Sequence, residues 1–144
     1  MAKVIAINTS EKKGVIKHPI EKGFFKVNHG LEGDAHAGNW HRQVSFLGVE
    51  SIDKMKAKGA LGLCSGKFAE NITTEGIILY ELPVGTKLKI GNVVLEVTQI
   101  GKECHKGCEI MKLVGDCIMP REGIFAKVLE EGYIQAGDEI VVEE

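Results

Sequence analysis

The sequence predicts a mainly β protein with a minor α part, folded as a closed or nearly closed barrel. Short runs rich in β-branched and aromatic residues recur between turn-forming residues along the chain. Glycine is abundant, with 18 residues against 3 prolines, which favours frequent turns. Only one segment has a clear helical period, whereas alternating β-α-β units would need several helices.

The first predicted elements are two strands and a helix. Residues 3–8 and 43–47 contain β-branched or aromatic residues bounded by turn formers, so each predicts a strand. Within residues 49–58, apolar side chains recur at every third position, and Gly59 follows as a C-cap. This segment is the predicted main helix.

The second half of the chain predicts further strands. Residues 86–90 and 93–100 flank Gly91-Asn92, a two-residue loop whose first position tolerates the positive φ of hairpin turns. Residues 124–129 and 139–142 resemble two more strands, separated by turns at Gly132 and at Gly137-Asp138. The chain therefore ends in sheet, as it begins.

Length and charge limit the classes of protein that the chain can represent. A chain of 144 residues is predicted to form one domain over residues 1–144. Its 44% hydrophobic and 26% charged residues are typical of globular proteins. The net charge of −2 comes from 18 basic and 20 acidic residues, without a basic cluster that would neutralise a phosphate backbone. Nucleic acid is therefore not an expected partner.

The N-terminal residues and the cysteines indicate a cellular compartment. Residues 1–10 have no long hydrophobic core and no cleavage site, so we expect neither a signal peptide nor a membrane span. We therefore expect a cytoplasmic protein without a membrane partner. In that compartment the four cysteines are reduced, and each is catalytic, metal-binding or buried rather than disulfide-bonded.

A polar, glycine-rich segment occupies residues 29–42, with the sequence HGLEGDAHAGNWHR. Its three glycines permit backbone conformations and close ligand approach that side chains would block. Asp34, His36, His41 and Arg42 supply charge and hydrogen bonds in this segment. This mixture suits an anionic or metal-bearing ligand. A solvated surface loop would have the same residue types, so composition alone leaves both interpretations open.

Cys104 lies in a second polar segment, residues 101–108, with the sequence GKECHKGC. Lys102, His105 and Lys106 surround it in sequence, and nearby positive charge favours the reactive thiolate. Glu103 acts in the opposite direction. A small buried hydrophobe is the alternative role for a free cysteine. We favour a reactive thiol because titratable neighbours disfavour a dry environment.

A zinc site is a further hypothesis from residue spacing. Cys104 and Cys108 are four residues apart and would share one face of a helical turn, close enough for a common metal or a transient disulfide. His36 and His41 also have a spacing that metal ligands can have. The order and spacing of these four residues match no tight zinc-finger pattern.

Other segments are given structural interpretations. Cys64 follows the helix in the apolar sequence LGLCSG and is predicted to be structural. Cys117, which precedes a turn, remains ambiguous. In residues 68–76, FAENITTEG, the hydroxyls of Thr73 and Thr74 are interpreted as turn or capping groups.

The ordered combination of these segments resembles one protein family. GLEGD at residues 30–34 with His36, FAENIT at residues 68–73, Cys104 after a strand, and residues 123–138 follow the pattern of MOSC domains. This family is named after the C-terminal part of molybdenum-cofactor sulfurase. The resemblance covers almost the whole chain and implies a β-barrel similar to the barrel domain of pyruvate kinase, with the family's pocket cysteine at Cys104.

The resemblance implies a chemistry for Cys104. In MOSC domains this cysteine is proposed to accept sulfur from a pyridoxal-phosphate-dependent cysteine desulfurase, or to bind the molybdenum of the molybdenum cofactor (molybdopterin). The chain has no room for a desulfurase domain, so pyridoxal phosphate is expected only on a partner. A molybdoenzyme or cofactor acceptor would receive the sulfur. Many relatives place Arg and Pro before the cysteine, and here Lys102 replaces the cationic group.

Ligand contacts are likewise inferred from the resemblance. The expected cofactor-binding residues are Gly33, Asp34, His36, Asn71, Lys102 and Arg121. Cys104 is the candidate molybdenum ligand, and His41 is a further candidate for ligand positioning. We expect Asp34, His36, Asn71 and Cys104 to converge on one pocket.

Three function classes follow, in descending order of preference. The first is a sulfur carrier or cofactor-sulfurating enzyme with sulfurtransferase-type activity. The second is a molybdenum-cofactor-dependent reductase of N-hydroxylated compounds, which bound molybdenum and an absorption spectrum would reveal. The third is a non-catalytic metal-binding module, which would hold zinc without pterin. We expect no stoichiometric zinc, because a closed tetrahedral site would immobilise the thiolate that sulfur transfer needs.

Overall fold

A computed structural model of the chain describes residues 2–11, 17–35, 37–57, 70–101 and 122–143, with the backbone alone at residues 54–57. These residues contain strands, one α-helix and one 3₁₀ turn. The elements are β1 (Lys3–Thr9), β2 (His18–Ile20), β3 (Lys22–Lys26), β4 (Gly30–Leu31), β5 (Val44–Gly48), α1 (Val49–Ala57), β6 (Ile72–Glu75), the 3₁₀ turn (Leu79–Glu81), β7 (Lys87–Ile90), β8 (Val93–Ile100), β9 (Ile124–Glu130), β10 (Gly132–Gln135) and β11 (Ile140–Glu143).

The larger sheet has eight strands in the order β11-β7-β8-β9-β5-β6-β1-β2. Its neighbouring strands are antiparallel except β5 and β6, which are parallel. A parallel pair needs a crossover connection rather than a tight turn, and α1 lies in the connection between β5 and β6. The single described helix is therefore explained by the single parallel pair.

The smaller sheet is antiparallel and contains three strands in the order β10-β3-β4. Phe25 of β3, Leu31 of β4 and Ile134 of β10 are buried in the same apolar cluster as the inward side chains of the larger sheet. In β3 the side chains alternate between core and surface, as expected for a strand with one buried face. The two sheets therefore share one hydrophobic core.

The mainly β class with a minor α part is confirmed; of the closed or nearly closed barrel that the sequence predicts, the described residues do not form the closed one. An isolated bridge joins Lys3 to Glu139, and the Ile140 amide donates to the Ala2 carbonyl at 2.9 Å. The Val4 amide donates to the Asp138 carbonyl at 2.8 Å. The first residues of β1 thus bond mainly to the turn before β11. Only one isolated bridge forms there, so β1 and β11 do not pair as a continuous ladder that would close the sheet.

Several predicted elements lie close to their expected positions. β1, β5, α1, β8 and β9 begin within one residue of the predicted starts, and Gly91 in the β7–β8 hairpin has a φ of 60°. The interpretation of Thr73 and Thr74 as turn residues is wrong, because both are buried in β6 between β5 and β1. Threonine is β-branched and is well suited to such a strand. No helix in the described ranges is long and apolar enough to cross a membrane.

Candidate functional site

Asp34 follows β4 and lies at the centre of a buried polar cluster. Its Oδ1 accepts hydrogen bonds from Lys17 Nζ at 2.7 Å, Thr9 Oγ1 at 3.0 Å and the Ser10 amide at 3.2 Å. The side chains of Lys17 and Asp34 are both completely buried. Lys17 Nζ also donates to Ser10 Oγ at 3.2 Å. The ion pair therefore fastens the loop after β4 to the end of β1.

This geometry gives Asp34 a structural role beside its expected role in ligand positioning. A buried charge is costly unless it is paired and hydrogen-bonded, and Lys17 supplies the opposite charge at close range. The Ala35 amide also donates to the Ser10 carbonyl at 2.9 Å. Gly33, just before Asp34, has a φ of 87°, and a Cβ there would contact nothing within 4 Å. Glycine is therefore required at this position by the backbone conformation of the turn.

Asn71 occupies a second buried position, immediately before β6. Its Oδ1 accepts from the Ser45 amide at 3.0 Å and from Ser45 Oγ at 3.1 Å, which ties it to β5. Its Nδ2 donates to the Asn8 carbonyl at 3.2 Å, and the Asn8 amide donates to the Asn71 carbonyl at 2.7 Å. Asn71 therefore links β5 to the end of β1 by side-chain bonds.

A chain of side-chain hydrogen bonds runs beside Asn71. Asn8 Nδ2 donates to Thr73 Oγ1 at 3.0 Å, and that hydroxyl donates to Glu70 Oε2 at 2.8 Å. All three side chains are fully buried. Because a carboxylate can only accept, the direction of the chain is set, and it orients the Asn8 amide. Asn8 Oδ1 is left buried, and no donor from the described residues reaches it.

The C-terminal end of β1 joins these two clusters. Asn8 bonds to the Asn71 and Thr73 side, whereas Thr9 and Ser10 bond to Asp34. Two residues that the sequence placed in one site, Asp34 and Asn71, are therefore connected through three consecutive residues of one strand end.

Sequence reasoning missed several members of this framework. They are Asn8, Ser10, Lys17 and Ser45. The polar run 8–10 directly after an apolar strand was a usable signal, because such a run at a strand end often faces a site. Ser45 is a polar residue within an apolar strand, which was a weaker signal. Lys17 carries no such signal, since lysine is usually exposed.

The remaining predicted site residues lie outside the described residues. They are His36, Lys102, Cys104 and Arg121, together with the other cysteines Cys64, Cys108 and Cys117. The shared pocket and the hypothetical zinc site therefore stay predictions. Within the part of the chain that the structure describes, no group of three or more His, Cys, Asp or Glu side chains is arranged to hold a metal ion.

Arg42 lies between two aromatic rings. Its guanidinium carbon is 4.8 Å from the centre of the Trp40 ring and 5.7 Å from the centre of the Phe125 ring. Both distances are typical of cation–π contacts. Its Nε is buried, and no hydrogen-bond partner for it is found among the described residues. The ring contacts do not satisfy its N–H groups.

His41 connects the same loop to the end of β8. Its Nε2 lies 2.8 Å from Gln99 Oε1, and Gln99 Nε2 donates to the Gly101 carbonyl at 2.7 Å. The Gly101 amide donates to the Gly123 carbonyl at 2.6 Å. Cys104 follows Gly101 by three residues in the sequence. The loop with His41 and Arg42 is thus bonded to the end of β8, three residues before Cys104 in the sequence.

A cavity of about 220 Å³ opens between the start of α1 and residues 77–80. Its wall is mainly apolar, with the carboxylates of Glu50 and Glu122 among the lining groups. Glu122 Oε1 accepts from Ser51 Oγ at 2.6 Å, and Glu50 Oε2 accepts from the Gly76 amide at 2.7 Å. Of the predicted site residues that the structure describes, none lines this cavity.

Comparison with known proteins identifies both the sequence family and the fold. A model of the MOSC domain matches residues 33–141. The structure is similar to YuaD from Bacillus subtilis, with a TM-score of 0.79 and 18% identity, covering 97% of this chain and 94% of that protein. It is also similar to YiiM from Geobacillus stearothermophilus, with a TM-score of 0.77 and 18% identity, covering 100% of this chain and 76% of that one.

A third similar structure is YiiM from Escherichia coli, with a TM-score of 0.73 and 16% identity, covering 100% of this chain and 70% of that protein. At these identities the likeness concerns the fold alone. No curated protein matches the chain in sequence.

Proposed function

Since the chain belongs to the MOSC domain family, we propose that it is a cytoplasmic sulfur carrier with Cys104 as its reactive group. The Cys104 thiolate accepts sulfur from a partner cysteine desulfurase and delivers it to a metal–sulfur centre or to the molybdenum cofactor. The observation that carries this proposal is the buried polar framework at the end of β1. It holds Asp34 and Asn71, two residues of the family pattern, on one strand end.

Chain connectivity supports a position for Cys104 near the loop of residues 40–42. The His41 side chain is bonded to Gln99, and Gln99 is bonded to the Gly101 carbonyl. Three peptide units separate Gly101 from Cys104, and three units span at most about 11 Å. The thiolate therefore acts within reach of the polar loop that the sequence assigns to the ligand.

The proposed transfer is a thiol exchange on sulfane sulfur. The Cys104 thiolate attacks the outer sulfur of a persulfide on the donor and forms a new S–S bond. The S–S bond of the donor breaks, and the donor thiol leaves as a thiolate with the electron pair. Cys104 then carries the persulfide, and the desulfurase regenerates its own persulfide from free cysteine. No net oxidation or reduction occurs in this step.

The described residues offer polar groups that fit a molybdenum cofactor. The buried Asn8 Oδ1 lacks a donor from the described residues, and the N–H groups of a pterin are donors of the required kind. We propose that Gly33, Asp34, His36, Asn71, Lys102 and Arg121 hold this group. When bound, the molybdenum cofactor supplies a dithiolene-held metal that can receive sulfur. The contribution of this chain is to orient the pterin and to present the Cys104 thiolate.

Sulfur loading tests the proposal directly. The purified protein is incubated with a cysteine desulfurase, pyridoxal phosphate and cysteine, and its intact mass is measured without reductant. We expect the wild type to gain the mass of one sulfur atom and Cys104→Ser to gain none. Cys64→Ser and Cys117→Ser are matched controls that should load normally.

Cys108 is the main competitor, because it could resolve a persulfide on Cys104 into a disulfide. Loading retained in Cys104→Ser and lost in Cys108→Ser would move the carrier role to Cys108. Loading retained in every single variant would contradict a dedicated carrier. Native mass spectrometry of protein from a molybdenum-replete host adds a second readout. Stoichiometric zinc without pterin would favour a metal-binding module, and tightly bound molybdenum with pterin would favour the reductase.

A further inference from the structure

The cavity between the start of α1 and residues 77–80 has the properties of a binding site that the proposed sulfur transfer does not use. Its wall is mainly apolar and includes Ile78 and Tyr80. Ile78 is 53% exposed and Tyr80 is partly exposed, so an apolar ligand would cover surface that now faces water. The volume of about 220 Å³ lies below the roughly 300–1,000 Å³ of pockets for drug-sized ligands. The ligand is therefore small, or it is the end of a longer chain.

Glu50 places a negative charge at this cavity. Its Oε2 accepts from the Gly76 amide at 2.7 Å, which holds the carboxylate in place. In the described ranges, no lysine, arginine or histidine forms an ion pair with Glu50. The N-terminal end of α1 contributes a partial charge of only about +0.5, which is smaller than one carboxylate charge. The cavity therefore favours a cation over an anion.

Gly48, the last residue of β5, leaves open a space that oxygen atoms surround. A Cβ there would lie 2.9 Å from Glu50 Oε1, 3.6 Å from Thr74 Oγ1 and 3.8 Å from the Ile77 carbonyl oxygen. The φ of Gly48 is not positive, so its backbone conformation does not require glycine. Glycine within a strand often marks a place where a ligand approaches the backbone closely. Gly48 and the three oxygens therefore form a cradle in the cavity wall.

We propose that the cavity binds a primary ammonium group on a short alkyl chain, with the ammonium group in this cradle. A primary ammonium has three N–H donors and no acceptor, which suits a cradle of oxygen atoms. Glu50 Oε1 makes the principal contact, because Glu50 is exposed and a ligand can reach it from solvent.

The apolar wall decides between an alkylammonium and a metal ion. A bare metal ion would use the oxygens and leave Ile78 and Tyr80 facing water. The alkyl chain of an ammonium ligand instead lies against these two side chains, so both parts of the cavity are used. The ammonium group belongs either to a free alkylamine or to a lysine side chain of a partner protein.

Titration with butylammonium, pentylammonium and hexylammonium chloride tests the site by two-dimensional NMR of isotope-labelled protein. The Gly76 amide is a direct reporter, because it donates to Glu50 Oε2. We expect saturable shifts of the Gly76 and Gly48 amide resonances, measured against sodium chloride at matched ionic strength. Each added methylene that the wall buries should tighten binding about fourfold until the cavity is full.

Two variants separate the charge from the space. Glu50→Gln keeps the shape of the side chain and removes its charge, and we expect pentylammonium binding to weaken about threefold or more. Gly48→Ala keeps the charge and places a methyl group in the cradle, and we expect a loss of at least about tenfold. The matched control is Glu81→Gln, which removes an exposed carboxylate of the adjacent 3₁₀ turn and should bind like the wild type. Circular dichroism checks folding, and Glu50→Gln preserves the test if Gly48→Ala does not fold.

The inference is overturned if pentylammonium causes no saturable shift in the wild type, or if Glu50→Gln binds it as tightly as the wild type. Pentanol has the same alkyl chain without the charge, and equally tight binding of pentanol would also contradict an ammonium site. Nα-acetyl-lysine amide distinguishes the two sources. If it binds more tightly than pentylammonium, the ligand is a lysine side chain, and weaker binding supports a free alkylamine. Sulfur loading is not part of this test, so failure of the proposed function would leave the inference standing.

Discussion

Lys17 is important for the stability of the fold, although no feature of the neighbouring sequence predicts that it is buried. Its ammonium group lies 2.7 Å from Asp34 Oδ1, and neither side chain reaches solvent. Removing one partner of such a pair leaves an uncompensated buried charge, which typically costs about 3–5 kcal/mol. Lysine is almost never fully buried unless it is paired. The sequence could predict Asp34 as a site residue, but the partner becomes visible only when the end of β1 and the loop after β4 are brought together.

For the two adjacent threonines of β6, we expect substitution by valine to have opposite effects on the free energy of unfolding. Thr73 Oγ1 is bonded to Asn8 Nδ2 and Glu70 Oε2, whereas the buried Thr74 Oγ1 has no hydrogen-bond partner in the part of the chain that the structure describes. Valine has the same shape without the hydroxyl. We expect Thr73→Val to lower the free energy of unfolding by about 1–3 kcal/mol, because it leaves buried polar groups unsatisfied.

Thr74→Val removes an unsatisfied hydroxyl, and we expect it to be neutral or stabilising by up to about 1 kcal/mol. Urea unfolding of the two variants beside the wild type measures both values. Equal destabilisation by the two substitutions would contradict the hydrogen-bond assignment in β6.

At the scale of elements, sequence patterns succeeded where one strand face is apolar and the turns are marked. β1, β8 and β9 have such faces, and Gly91 marks the β7–β8 turn. The prediction failed for β6, because the residues Thr-Thr-Glu are as typical of turns as of strands. These residues form a strand because β6 is buried between β5 and β1. That burial depends on long-range strand pairing, which the local sequence does not show.

The shortest strands also escaped prediction for a physical reason. β2 and β4 have three and two residues, so neither carries enough alternation to define a period. β2 pairs with β1 and β4 pairs with β3, and these pairings are visible only in the fold.

Two glycines allow the contact between β4 and the start of β5 to be tested. Gly30 has a φ of 106°, and a Cβ there would lie 2.6 Å from the Gln43 carbonyl oxygen. Gly85 has a similar φ of 99°, but a Cβ there would meet nothing within 4 Å. Gly85→Ala therefore tests backbone strain alone, and we expect it to lower the free energy of unfolding by about 1–3 kcal/mol.

Gly30→Ala should lower the free energy of unfolding by about 1–3 kcal/mol more than Gly85→Ala does, because overpacking adds to the backbone strain. Gln43 cannot move freely, since its Oε1 accepts from the Val128 amide at 3.0 Å. The midpoints of urea unfolding compare the two variants. Equal losses would show that the close contact at Gly30 relaxes without strain.

For the molecule as a whole, the shared core and the meeting of the chain ends predict cooperative unfolding. Ile134 belongs to the smaller sheet and is completely buried in the common cluster. Ile134→Ala should lower stability by about 2–5 kcal/mol. Trp40 lies on the side of the larger sheet, in contact with Arg42. We expect the Trp40 fluorescence and the far-ultraviolet circular dichroism to report one coincident unfolding transition in the wild type and in Ile134→Ala.

Two separated transitions would contradict the prediction of a single domain over residues 1–144. The variant is informative because its substitution lies in one sheet and its fluorescent probe beside the other. A loss of stability confined to the circular dichroism signal would identify the smaller sheet as an independent unit.

The candidate site residues that could be predicted are those that belong to a recognisable sequence motif. Asp34 and Asn71 were expected together because the order of the motifs resembles a known family, and both lie in the framework at the end of β1. Asn8 Oδ1, which no donor among the described residues reaches, could not be predicted to lack one, because this results from the direction of a hydrogen-bond chain through Thr73. A sequence identifies the side chain, whereas only the fold decides which of its atoms remains unsatisfied.

The hydrogen bond from the Gly101 amide to the Gly123 carbonyl holds two glycines that are far apart in the sequence side by side. On the sheet side of this bond, β8 and β9 pair along most of their length. The spacing between Gly101 and Gly123 is therefore set by the sheet, which makes this bond a fixed joint between the two strands.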